Sequence, residues 1–127
     1  MSYYAAMKKF PRAAIKVDFG TEVRLGPGKV RLLELVAETG SISAAARQME
    51  MSYRRAWLLI DELNGIFGKP VIETAAGGAG GGGAKITPLG KTVIATFRSL
   101  EKDATDLVQA KLAVLPAHRG RRHNETR

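Results

Sequence analysis

A mainly α-helical domain with a small β-sheet is predicted for this chain of 127 residues, and three observations predict it. Apolar residues recur at helical spacing in three long stretches, around 30–37, 56–67 and 93–107. Strand-like alternation is confined to short runs: AAIKVDF (13–19), VIET (71–74) and KIT (85–87). Six of the 14 glycines fall in one run, AGGAGGGG (76–83), between the second and third of those runs. With 45% hydrophobic residues the chain can bury a core, and its length suits one domain.

In the first run Ile15, Val17 and Phe19 face one way and Lys16 and Asp18 the other. Val23 and Leu25 continue the strand pattern after a turn at Gly20. Pro27 opens a helix and Gly40 stops it. Its stripe is Val30, Leu33 and Val36, flanked by Leu32 and Ala37. Ser43 is expected to cap a short helix from Ala44 to about Met49. Ser52 caps a longer one that buries Ala56, Ile60, Leu63 and Phe67 and turns Arg54, Leu58 and Asp61 outward. A short helix, a tight connection and a longer helix make a helix-turn-helix, whose second helix can lie in a DNA major groove.

The strands at 71–74 and 85–87 form a hairpin around the glycine run. Thr87 then caps a long helix with Pro88 in its first position. Val93, Phe97, Leu100, Ala104 and Leu107 step by four, three, four and three, a heptad-like seam. The distal half of so long a helix has little domain of its own to cover, so a self-complementary homodimer contact is expected. The order of elements is that of a winged helix-turn-helix with a long C-terminal linker and dimerisation helix. The expected organisation is a flexible N-terminus (1–12), this domain (13–117) and a disordered basic tail (118–127).

The formal net charge is +8 and the pI about 10.1. The last nine residues hold four Arg and one Glu, and without their net +3 the body keeps +5. A small basic domain points to a polyanionic partner, with nucleic acid first. The absence of Cys excludes disulfides, thiolate metal sites and thiol catalysis. His118 and His123 both lie in the tail, so neither a metal site nor a Ser/His/Asp arrangement is expected, nor any cofactor. Glu34, Glu38, Asp61 and Glu62 read as solvated charge. No apolar stretch suits a signal peptide or a membrane span, and the expected location is the cytoplasm.

GSISAAARQMEMSYRRAW (40–57) resembles the N-terminal DNA-binding domain of the molybdate-responsive ModE family. GSIS, SY-x-x-AW (52–57) and ET-A-x-GG-x-GGGGA (73–84) carry the likeness, which extends over roughly 13 to 115. GSISAAARQM more distantly resembles bacterial LysR-type regulators. One departure is Glu50, where that turn usually has Gly, and an αL conformation costs more there. Another is length. ModE proteins carry C-terminal molybdate-binding domains, so the chain is expected to resemble stand-alone members, with no small-molecule effector site of its own.

The resemblance implies a wing at the glycine run, with Gly80, Gly81 and Gly82 bringing backbone N–H groups to phosphate or into a minor groove. A phosphate-binding P-loop is a poor rival, because that motif needs Gly-Lys followed by Ser or Thr and then a helix. Arg54 is expected to reach guanine and Arg55 the DNA backbone. Tyr53 suits a phosphate or a thymine methyl. Ser52 combines capping with a phosphate contact, and Ser41 and Ser43 have the same two roles. Trp57 belongs chiefly to the core, with its indole N–H at the rim. Arg47 and Lys85 are phosphate candidates, and Lys69 a weaker one. Asp61 would repel phosphate, which confines base reading to the first half of the helix.

The expected function is therefore a homodimeric, sequence-specific, double-stranded-DNA-binding transcriptional regulator, with a molybdate-related role implied by resemblance. The alternative is a winged-helix protein-interaction module without specific DNA binding, which Leu58 and Asp61 favour. Oxyanion binding by the glycine loop is a third reading.

Overall fold

The computed structural model describes residues 10–75 and 83–116. In chain order the elements are β1 (Val17–Asp18), β2 (Arg24–Leu25), α1 (Pro27–Thr39), α2 (Ile42–Gln48), α3 (Tyr53–Phe67), β3 (Ile72–Thr74), β4 (Ala84–Ile86) and α4 (Pro88–Leu112). The mainly α architecture with a small antiparallel β component matches the expectation. Two compact units divide the chain, one of residues 15–98 and one that includes 10–14 and 99–116.

The first unit holds the core. Val30, Leu32, Leu33, Leu35 and Val36 of α1 pack with Ala45 and Ala46 of α2 and with Ala56, Leu59, Ile60 and Leu63 of α3. Val71, Ile72, Ala84, Val93 and Phe97 complete the cluster. The apolar face of α1 is wider than its periodicity indicates: Leu32 and Leu35 are fully part of it, whereas Ala37 is exposed.

The first strand is shorter than the run at 13–19 indicates. Asp18 ends it by accepting a hydrogen bond from Gly20 N at 2.7 Å, and Gly20 takes a φ of 88°. The chain then reverses, so β2 pairs antiparallel to β1 and does not continue it, with Val17 opposite Leu25. Phe19 lies half-exposed, edge-on to Phe67 at 5.9 Å.

α2 begins two residues earlier than expected. Ser41, not Ser43, is its cap: Ser41 Oγ accepts from Ala44 N at 3.0 Å. This entry buries Ile42. The turn into α3 is closed by Glu50 N donating to Arg47 O and Met51 N donating to Ala46 O, each at 3.0 Å. That pair of bonds ends a helix in the Schellman manner, which needs a left-handed residue between them. Glu50 supplies it with a φ of 56°, in the conformation expected to be costly for that residue.

β3 and β4 pair antiparallel, with Ile72 opposite Ile86 and Glu73 opposite Lys85. Side chains from elsewhere fix the hairpin's base. Asn64 Oδ1 of α3 accepts from Val71 N at 2.9 Å, and Thr87 Oγ1 donates to Pro70 O at 2.9 Å. Thr87 Oγ1 also accepts from Gly90 N, the expected cap of α4. Ala84 N donates to Gly40 O at the end of α1. The hairpin is thus tied to the helix-turn-helix on both strands.

Glu34 corrects the reading of the acidic helix residues as solvated charge. Its carboxylate accepts from Arg98 Nε at 2.9 Å and Arg98 Nη2 at 3.0 Å, with Arg31 Nη1 at 3.1 Å. Glu62 pairs with Lys29 at 3.4 Å and Glu38 with Arg31 at 3.4 Å. In the second unit Ala13 N donates to Thr105 Oγ1 and Gln109 Nε2 donates to Pro11 O.

Candidate nucleic-acid interface

Ser52 sets the start of α3. Its Oγ accepts from Arg55 N at 3.0 Å, as its sequence position indicates. Four exposed residues follow from that cap: Ser52, Tyr53, Arg54 and Arg55. Among the described residues neither Arg54 nor Arg55 has a hydrogen-bond or ion-pair partner, so both guanidinium groups face solvent. Tyr53 stacks edge-on against Trp57 at 6.4 Å. Trp57 is half-buried against the core, in keeping with its dual position on the helical wheel.

The start of α2, the first half of α3 and the end of β3 with the start of β4 meet around a cleft of about 280 Å³. Ser41, Ser43, Tyr53 and Trp57 line it, together with Thr74 and Gly83. Sequence reasoning missed Thr74 and Gly83. Their signal was only that Thr74 precedes the glycine run and Gly83 ends it, and the tie beside Gly83 is Ala84 N donating to Gly40 O at 2.9 Å. Ser43 Oγ accepts from Arg47 Nη1 at 3.3 Å, so these two phosphate candidates stand together. Lys85 is exposed on β4. Gly80, Gly81 and Gly82 lie outside the described residues, as do His118 and His123.

Further along α3, Leu58 and Asp61 are exposed on the same side as Arg54. The expected seam on α4 has two parts. Val93 and Phe97 belong to the core of the first unit, 6% and 1% exposed. Leu100 and Leu107 are 42% and 56% exposed, and Ala104 is half-buried. Among the described residues no group of His, Cys, Asp or Glu is placed to hold a metal ion, and no helix is long and apolar enough to cross a membrane.

A capped helix with an outward cationic end, a tight turn before it and a hairpin pinned beside it define a winged helix-turn-helix protein. The chain belongs to the bacterial regulatory helix-turn-helix proteins of the lysR family, matched over residues 28–91. It is 40% identical over 90 residues to the molybdenum-pterin-binding protein MopB of Rhodobacter capsulatus, covering 71% of this chain and 33% of that one. It is 36% identical over 96 residues to the molybdenum transport protein ModE of Azotobacter vinelandii, covering 76% and 35%. Against the DNA-binding transcriptional dual regulator ModE of Escherichia coli K12 it is 39% identical over 71 residues, covering 56% and 27%. The resemblance to the ModE family therefore holds. The chain spans about a quarter to a third of the length of these relatives.

Proposed function

We propose that this protein is a sequence-specific DNA-binding transcriptional regulator of the bacterial cytoplasm, acting as a homodimer in molybdate-related regulation. The observation that carries the reading is the exposed pair Arg54 and Arg55, without partners among the described residues, at the capped start of α3 beside the cleft and the hairpin. Residues 13–117 form the DNA-binding unit. The first turns of α3 enter a major groove, where Arg54 donates to guanine O6 and N7 and Arg55 to the backbone. Ser41, Ser43, Arg47, Ser52, Tyr53, the Trp57 indole N–H and Lys85 hold phosphates, and Gly80, Gly81 and Gly82 bring the wing to the adjacent backbone. Leu100, Ala104 and Leu107 of α4 meet a second copy, which sets two half-sites about 34–36 Å apart. The molybdate link rests on the names of the relatives.

Binding to a labelled duplex from the chain's own upstream region, against a scrambled duplex, tests this from low to physiological salt. A preference that survives near physiological salt is the expected result. Equal binding that fades steeply with salt means phosphate attraction alone. The exposed Leu58 and Asp61 then favour the protein-interaction module instead.

A further inference from the structure

Three exposed residues lie along one strip of α3: Arg54, Leu58 and Asp61. At about 100° per residue their spacings of four and three keep them within an arc of about 60°. At about 1.5 Å per residue the strip runs about 10 Å, or about three base steps of 3.4 Å. Phosphate attraction explains Arg54 but not the other two. Leu58 is 48% exposed on a helix that has a full apolar face elsewhere. Asp61 has no hydrogen-bond or ion-pair partner among the described residues, although Glu62 beside it pairs with Lys29.

We propose that the strip reads three kinds of base feature: Arg54 a guanine, Leu58 a thymine methyl and Asp61 a cytosine amino group. The inference rests on the DNA-binding reading above and extends it into the second half of the helix. The chemistry of each side chain selects its partner. In the major groove a thymine presents its C5-methyl, the apolar feature a leucine can cover. A cytosine presents the N4 amino donor, which an ionised carboxylate accepts. Asp61 also penalises every base that presents only acceptors there, since carboxylate facing acceptor leaves both desolvated and unpaired. The repulsion of Asp61 by phosphate is then a cost borne at all sequences, and the cytosine contact offsets it at the correct one.

The test selects sites from a randomised duplex with the native chain and then measures affinity for the selected site and its single-base variants. Replacing the critical thymine by deoxyuridine removes only the methyl. It is expected to weaken the native chain about three- to fivefold, the scale of one buried methyl group, and to leave Leu58→Ala unaffected. Asp61→Asn is expected to bind sequences without that cytosine more tightly, gaining little at the selected site, and so to lose about tenfold preference at one cytosine. A uniform gain with that preference retained would show Asp61 to be repulsive only and would overturn its role. A deoxyuridine effect equally large in Leu58→Ala would overturn the role of Leu58. Either result leaves specific binding by the native chain intact. Failure of the native chain to select any site overturns the DNA-binding reading and this inference with it.

Discussion

Arg98 on α4 clasps Glu34 on α1 through two hydrogen bonds, 2.9 and 3.0 Å, with both side chains largely removed from solvent. The pair joins the first helix of the domain to the helix that follows the hairpin. Burial pushes the Glu34 carboxyl up, but hydrogen bonds and charge from Arg98 and Arg31 outweigh it and hold it below its ordinary value of 4.5. A carboxylate depressed in the folded state contributes stability that is present above its unfolded pKa and is lost as pH falls through the folded one.

Glu34→Ala is therefore expected to destabilise the fold by about 3 kcal/mol, because it leaves Arg98 buried without this partner. Urea denaturation at neutral pH measures the loss. Between neutral pH and about 4.5 the native stability should change little on account of this pair, and below that it should fall. Glu34→Gln should flatten that acid limb.

Glu50 holds a left-handed conformation that costs a non-glycine residue about 1–2 kcal/mol. Glu50→Gly removes the strain but adds entropy to the unfolded chain, about 0.4–1 kcal/mol. The balance is a gain of up to about 1.5 kcal/mol, readable as a higher denaturation midpoint with unchanged slope. A loss would mean that the Glu50 side chain itself stabilises the turn.

Two glycines on helices should respond in opposite directions to the same substitution. A Cβ on Gly65 meets nothing within 4 Å, so Gly65→Ala should stabilise α3 by about 0.5–1 kcal/mol. A Cβ on Gly90 runs into Val71 O and lies 2.8 Å from Ile86 Cγ2, so Gly90→Ala should destabilise by more than that. Thermal melts of the two variants side by side decide both.

For DNA, Arg54→Ala is expected to relax base preference at one position by about 1–3 kcal/mol. Lys85→Ala should weaken all sequences alike and reduce the salt slope by about one. Titrations of selected and scrambled duplexes at several salt concentrations separate the two patterns. Unchanged binding in both variants would remove them from the interface.

The distal face of α4 gives an independent test of the dimer. Leu107 is 56% exposed, so Leu107→Glu leaves the subunit core untouched and places a charge in the expected contact. Sedimentation should show the native chain as a dimer and the variant as a monomer, with helix content retained. A native chain that sediments as a monomer would end the homodimer reading.

The sequence by itself determined the elements and their order. Helical spacing located α1, α3 and α4, and Ser52, Thr87 and Gly40 act at the boundaries where their chemistry places them. Local hydrogen bonds and periodicity are properties of neighbouring residues, so they are legible without a fold. The choice between Ser41 and Ser43 as cap was not, because both are good caps and burial of Ile42 decided it. Nor was Glu34, whose partner is 64 residues away in the chain. Only the tertiary structure brought Thr74 and Gly83 to Tyr53, and only it divided the α4 seam into buried Val93 and Phe97 and exposed Leu100 and Leu107. Periodicity states which residues share a face of a helix. What that face meets depends on distant segments, and that was settled by packing.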